Sequence, residues 1–272
     1  MTFLFVEWAN KVVLITGASS GIGEASALEF ARRKCSAVLV SRRKEKLEKV
    51  AEKIKKHNQK ILVCQCDVSK KDDVKLMSKT VFDKFGRVDI LVNNAGFAIY
   101  GKVIELKLED IESQLATNFF GMVYCTKAFL PKMLEQKSGH IVNVASVAAS
   151  FGIPGIASYC ASKFAMLGFS EGLYHELKGS GVGVTVVSPI MVRTNFLDHP
   201  SFKSMPRYSP MSLSSKTVAK AVIRASRSPR LEIIVPGFVR GAVWAKQTFP
   251  YLINPILGNA FRKAMKTREN FS

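Results

Sequence analysis

The stretch Thr16-Gly17-Ala18-Ser19-Ser20-Gly21-Ile22-Gly23 decides how this chain folds. It joins an apolar, β-branched run at 12–16 to a helical stretch at 23–33. Glycines in such a turn permit a tight bend, close approach of backbone to a pyrophosphate and close helix–strand packing. The helix start then offers unpaired N–H groups and a favourable dipole to the phosphates. The spacing is G-x-x-x-G-x-G, not the general G-x-G-x-x-G fingerprint. Its place between the first strand and the first helix therefore carries the reading.

Outward from this turn the chain alternates short β-branched runs with longer amphipathic ones. Further strands are predicted at 37–41, 61–65, 90–93, 140–145, 182–188 and 232–235. Helices are predicted at 45–57, 72–85, 108–136, 158–178 and 214–227. Several strands are apolar nearly throughout, as expected when helices cover both faces of a sheet. The pattern predicts one α/β domain built on a doubly wound parallel sheet of about seven strands. Two segments break the rhythm and read as irregular and apolar. Residues 191–211, a lid over the substrate, carry Pro200, Pro206 and Pro210 among Phe196, Leu197, Phe202 and Met205. Residues 237–272 form a tail beyond the domain at 1–236, with Trp244, Phe249, Pro250, Tyr251 and Pro255.

The 272 residues are ample to bury a core. The net charge of +19 admits nucleic acid, an anionic membrane or phosphate-bearing ligands. Its lysines spread along helical stretches without any RNA-binding, finger or basic-zipper pattern, so a basic surface is expected and nucleic acid is not. Five scattered cysteines, Cys35, Cys64, Cys66, Cys125 and Cys160, argue against a disulfide framework and for a reducing compartment. Cys64 and Cys66 share a strand face with no histidine nearby and read as core thiols; no metal is expected. The opening MTFLFVEWA is short, interrupted by Glu7 and without a basic leader. A soluble, cytoplasmic protein is expected.

Chemistry concentrates at the predicted strand ends. The second strand closes on Ser41-Arg42-Arg43, with no carboxylate to hold both ribose hydroxyls. A neutral residue followed by arginine suits a 2′-phosphate, so NADP(H) is favoured over NAD(H), with Arg42 nearest the strand end. Asp67, in Cys66-Asp67-Val68, can accept from an adenine amino group. Asn93, with Ala95 and Gly96, can hold backbone near the cofactor ribose. Ser146 follows the fifth strand, and Tyr159 and Lys163 stack four apart on one helix face. A phenol titrating near pH ~10 is a poor base at neutrality. A neighbouring ammonium and a positive nicotinamide would bring it toward the working range. Ser146 can hold a substrate oxygen as charge develops on it.

These stretches resemble the short-chain dehydrogenases/reductases. The likeness runs from Asn10 to Pro236 and rests on TGASSGIG at 16–23, DV at 67–68, NNAG at 93–96, Asn118, Ser146, YxxxK at 159–163 and SPIMVRT at 188–194. It implies a Rossmann-type fold and a nicotinamide cofactor. That cofactor would be held by Gly17, Ser19, Ser20, Gly21, Ile22, Gly23, Ser41, Arg42, Asp67, Val68, Asn93, Ala95, Gly96, Tyr159, Lys163, Pro189, Val192 and Thr194. It implies further that Asn118 bulges its helix and holds a water linking Lys163 to solvent, and that Lys163 binds the nicotinamide ribose. Val192 and Thr194 would meet the carboxamide. The catalytic set is then Asn118, Ser146, Tyr159 and Lys163. One departure stands out: Ile190 occupies a position where the family usually has glycine, which should narrow the pocket or shift the cofactor. The resemblance also implies a homodimer or homotetramer built through 108–136 and 158–178.

The loops expected to meet substrate carry Phe97, Ile99, Tyr100, Phe151, Ile153, Met191, Phe196, Leu197, Phe202 and Met205. Such a lining favours a hydrophobic ketone, a 3-oxoacyl thioester or a lipid-like carbonyl, reduced by NADPH with Tyr159 as the acid. The rivals are an NAD-linked alcohol dehydrogenase working oxidatively and a nucleotide-binding regulator without turnover. From Arg240 onward the tail sets six Lys/Arg against Glu269 alone. It reads either as a peripheral membrane contact or as a cap on the pocket or a partner subunit. The prolines Pro250 and Pro255 speak against a clean amphipathic helix there.

Overall fold

The computed structural model describes residues 8–57, 60–203, 210–227 and 230–269, with side chains described up to Phe261. Seven strands pair in parallel: Val12–Thr16 (β1), Ser36–Ser41 (β2), Ile61–Gln65 (β3), Ile90–Asn93 (β4), Gly139–Val144 (β5), Val182–Pro189 (β6) and Glu232–Val235 (β9). Their order is β3-β2-β1-β4-β5-β6-β9. The chain winds outward from β1 to β3, crosses back, and winds the other way from β4. The switch point therefore lies between β1 and β4, where open α/β sheets bind ligands beyond the strands' carboxyl ends.

The strands are apolar on both sides because both sides are covered. Val13, Ile15, Leu39 and Val92 face Phe30 of helix Gly21–Ala31 (α1), Leu47 of Lys44–Lys55 (α2) and Val222 of Ser215–Ala225 (α7). Leu14, Val38, Leu91 and Ile141 face Val81 of Lys71–Phe85 (α3), Phe129 of Gly121–Glu135 (α5) and Leu173 of Ala157–Glu176 (α6). Successive residues of one strand thus serve opposite cores. All five cysteines are buried thiols, and Cys64 and Cys66 lie together in the second of these cores.

The long helix expected at 108–136 is three pieces in one run. Leu108–Leu115 (α4) passes through a π turn, Ala116–Phe120, into α5. The segment after β6 holds a two-residue strand, Val192–Arg193 (β7), paired with Leu213–Ser214 (β8), and two 3-10 turns, Asn195–Asp198 and Pro200–Phe202. Met205 and Pro206 lie outside the described residues. The expectation of an irregular tail is overturned. The tail forms two helices, Val239–Thr248 (α8) and Pro250–Glu269 (α9). Pro250 occupies the first helical position, where a missing N–H costs nothing. Pro255 stands one turn further in, where the N–H it lacks would otherwise have bonded the carbonyl of Tyr251, and the helix continues past it.

Candidate active site

The glycine turn sits against the loop leaving β4, across the switch point. Gly17 has φ +66, and a Cβ there would stand 2.9 Å from the Cα of Ala95. A Cβ on Gly23 would meet the Gly17 carbonyl oxygen at 2.3 Å, so neither position admits a side chain. Thr16 fastens the two loops, its hydroxyl accepting from the N–H groups of Asn94 (2.9 Å) and Ala95 (3.0 Å). Asn94 returns the contact, its Nδ2 donating to the Thr16 carbonyl at 3.0 Å. Ser20 precedes α1 as its N-cap, and its side chain makes no cap hydrogen bond. The first-turn N–H groups of α1 are thereby left to an anion.

The strand-end side chains divide between the turn, a cleft and the core. The Arg43 guanidinium, not that of Arg42, reaches back over the turn, with Nη2 donating to Ser19 Oγ at 3.0 Å and Ser20 Oγ at 3.4 Å. Arg42 and Asp67 instead border a cleft of about 490 Å³ along β3. One Asp67 oxygen accepts from the N–H (3.1 Å) and hydroxyl (2.7 Å) of Ser69. Asn93 turns its side chain into the core, donating to Asn143 Oδ1 on β5 at 2.9 Å. Its neighbour Asn94 turns the other way, to the carbonyls of Thr16 and Gly17. Ser41 keeps its hydroxyl local, accepting from the Arg43 N–H at 3.1 Å.

Beyond β5, Ser146 begins a short turn with its hydroxyl accepting from Ala148 N at 3.2 Å. That hydroxyl donates to the Pro189 carbonyl at 3.4 Å and stands beside the Tyr159 phenol. Lys163 lies one turn along α6, its Nζ 5.6 Å from the Tyr159 ring centroid and donating to the Val144 carbonyl at 3.1 Å. Burial pushes the phenol above its ordinary value, and the nearby Ser146 hydroxyl offsets only part of this. The sequence reading had Lys163 lowering it; in the chain by itself, loss of hydration outweighs the neighbours. The same burial brings the Lys163 ammonium down to about 7. Asn118 occupies the π turn, accepting from Phe97 N (3.0 Å) and donating to Phe97 O and Ser162 Oγ (both 2.9 Å). A Cβ on Gly96 would lie 3.0 Å from Asn118 Oδ1 and 3.6 Å from Lys163 Nζ, so the β4 loop, the π turn and α6 converge at one point.

Aromatic rings roof the phenol. Phe196 meets the Tyr159 ring edge-on at 5.4 Å, and Phe202 lies 6.3 Å from Phe196 and 5.9 Å from Tyr100. Ile153 and Leu197 pack into the same cluster. Ser201 latches this roof, its hydroxyl accepting from Tyr100 N at 2.9 Å. A model of the family described as short chain dehydrogenase matches residues 11–201. The chain belongs to the short-chain dehydrogenase family. An oxidoreductase of Staphylococcus saprophyticus is 39% identical over 72% of this chain and 80% of its own length. Retinol dehydrogenase 10-B of Danio rerio is 34% identical over 89% of this chain and 79% of its own. A short-chain dehydrogenase/reductase of Burkholderia phymatum, solved with NAD, superposes with a TM-score of 0.83 at 26% identity, covering 91% of this chain and 96% of that one.

The residues present suit the nicotinamide dinucleotide that short-chain dehydrogenases use. The cradle of Gly17 and Gly23 lets backbone approach backbone, and the start of α1 faces it uncapped. From the far side Thr194 closes in: a Cβ on Gly21 would lie 3.1 Å from its side chain. The Thr194 hydroxyl also accepts from Phe196 N at 3.2 Å, which ties the cradle to the aromatic roof. Val68 packs on Gly121 of α5. Ile190, where the family usually has glycine, donates its N–H to the Val235 carbonyl at 2.9 Å and so continues the β6–β9 pairing. Its branched side chain is half-buried. The sequence reading gave no role to Arg43, which bonds Ser19 and Ser20, or to Asn94, which bonds the Thr16 and Gly17 carbonyls; NNAG at 93–96 contains the second, while nothing in the sequence pointed to the fold of Arg43 back over the turn.

Proposed function

We propose that this short-chain dehydrogenase is an NADPH-dependent carbonyl reductase acting on a hydrophobic ketone, 3-oxoacyl or lipid-like substrate. The observation that carries the reading is Tyr159, beside Ser146, one turn from Lys163 and roofed by Phe196 and Phe202. A reduced nicotinamide, when bound, supplies the hydride. Gly17, Ser19, Ser20, Gly21, Ile22 and Gly23 would hold its pyrophosphate; Asp67 and Val68 would meet the adenine. Asn93, Ala95, Gly96, Lys163, Pro189, Val192 and Thr194 would hold the nicotinamide half. For the 2′-phosphate the chain offers Ser41 and Arg42 with Arg43, and no carboxylate.

The chain's own chemistry then follows. The apolar roof takes the body of the substrate out of water, which strengthens every polar contact on its one oxygen. Ser146 turns its weak donor bond from Pro189 toward that oxygen. As the carbonyl carbon is reduced, charge gathers on the oxygen and the Tyr159 phenol delivers its proton there, giving the alcohol. A phenol held protonated by burial is suited to act as the acid. The phenolate left behind favours the ammonium form of Lys163, so the two titrations are coupled. Asn118, with its bonds to the Phe97 backbone and Ser162, would fix a water path to Lys163.

Exposed Leu108, Phe120, Leu134 and Phe164, on α4, the π turn, α5 and α6, support a homodimer or homotetramer built on those helices. Among the described residues no helix is long and apolar enough to cross a membrane; a cytoplasmic protein with membrane contact through its tail suits this. The test of the site is Tyr159→Phe. It should bind NADPH as the wild type does and lose turnover by about 10²–10⁴-fold, the usual worth of a positioned acid. A variant with wild-type rates would refute the role given to Tyr159.

A further inference from the structure

The tail helices leave large apolar side chains in water. Fractional exposure is 70% for Phe238, 60% for Trp244, 93% for Tyr251, 68% for Leu252 and 64% for Ile256. Phe249 is 48% exposed and stands edge-on to Trp244 at 6.0 Å. Soluble proteins seldom expose so many large apolar groups together unless something covers them. From 233 to 268 the sequence has no acid, while Arg240, Lys246, Arg262, Lys263, Lys266 and Arg268 are all basic. Rings with an apolar body and a polar edge, beside cations, are the chemistry of the membrane–water boundary.

We infer that α8 and α9 are an interfacial anchor that seats this protein on an anionic lipid surface. Charge decides between the candidate occupants. A second copy would bring the same basic, acid-free segment against this one, on a chain already at +19, and the two would repel. An anionic leaflet attracts the same charges. The helices lie on the bilayer and do not span it.

The anchor also touches the segment that follows Ser146. Lys246 donates to the Ser150 carbonyl at 2.8 Å, four residues beyond Ser146, and its ammonium lies 5.9 Å from the Phe151 ring and 5.7 Å from that of Phe164. An apolar substrate dissolved in the bilayer would then enter beside the lid without crossing water. This second step rests on the reading of the site given above; the anchoring itself does not.

Trp244 is the reporter. The only other tryptophan, Trp8, is buried, so Trp8→Phe in the full chain leaves a single probe. Mixed with vesicles containing phosphatidylserine, the Trp244 emission should shift to the blue and be quenched by brominated acyl chains. Pure phosphatidylcholine vesicles should give a much weaker response. The triple variant Tyr251→Ser, Leu252→Ser, Ile256→Ser should keep the melting temperature and lose ~10-fold or more in vesicle affinity, since binding scales with buried apolar area. Two results would overturn the inference: no partition into either vesicle, or a stable dimer in light scattering that the triple variant dissolves. Vesicles carry no substrate in this assay, so a failed enzyme reading leaves its outcome unchanged.

Discussion

Lys163 is the residue whose physical cost is most visible. Burial brings its ammonium down to about 7, against an ordinary value of 10.5. The unfolded chain therefore holds more protons than the folded one between those values, and folding stability rises with pH across that window. Below about 7 the penalty is complete, because the folded chain carries the buried charge as well. Lys163→Met should thus raise the melting temperature and abolish turnover. The gain should be largest below about pH 7 and vanish toward 10.5. A gain independent of pH would show that the lysine is not desolvated as described. Arg43 carries the second prediction at this scale. Losing a charge-assisted bond costs about 1.5–3 kcal/mol, so Arg43→Ala should raise KM for NADPH about 10- to 100-fold and leave KM for NADH nearly unchanged. Equal effects on both cofactors would remove the 2′-phosphate role. The sequence reading chose Arg42 because it is nearer the strand end; a long flexible side chain is not placed by its distance along the chain, and Arg43 folds back to Ser19 and Ser20.

At the scale of elements, the π turn Ala116–Phe120 is the feature that builds the site. It presents Asn118 to both backbone groups of Phe97 and to Ser162. Asn118→Ala would leave the half-buried N–H and carbonyl of Phe97 without this partner, costing up to about 1–3 kcal/mol each. The expected result is a lowered melting temperature with reduced kcat, while KM for NADPH moves little. A stable, fully active variant would show that the turn holds no functional geometry. The seven strands were legible in the sequence to within a residue or two, since runs such as Val12–Thr16 and Val182–Pro189 are apolar nearly throughout and punctuated by glycine or proline. The π turn was not legible from periodicity: an asparagine inside a helical pattern is ordinarily surface, and only the resemblance singled out Asn118. The tail helices were misread because proline was given more weight than its position warrants. Pro250 begins α9 instead of breaking it.

Over the whole molecule, the strand carboxyl ends gather the cradle, the phenol and the aromatic roof on one edge, and Lys246 ties the basic tail to that same edge. The Ser146, Tyr159 and Lys163 set was legible because three residue types with one shared chemistry recur at fixed spacing after a strand end. The substrate lining was legible only as a composition. Phe196, Phe202 and Tyr100 do meet above Tyr159, while Met191 stays 40% exposed and Ile99 is buried. The described residues of that cluster, Tyr100, Ile153, Phe196, Leu197 and Phe202, bring no charge with which to grip a sugar or a free carboxylate. The measurement that goes to the centre of this account is the oxidation of NADPH by the purified full chain across a panel of carbonyl compounds. Apolar ketones and long-chain 3-oxoacyl thioesters should be reduced, with kcat/KM rising as apolar surface is added. Short polar ketones and keto sugars should turn over poorly. Equal rates across the panel, or no NADPH consumed with any apolar carbonyl, would contradict it.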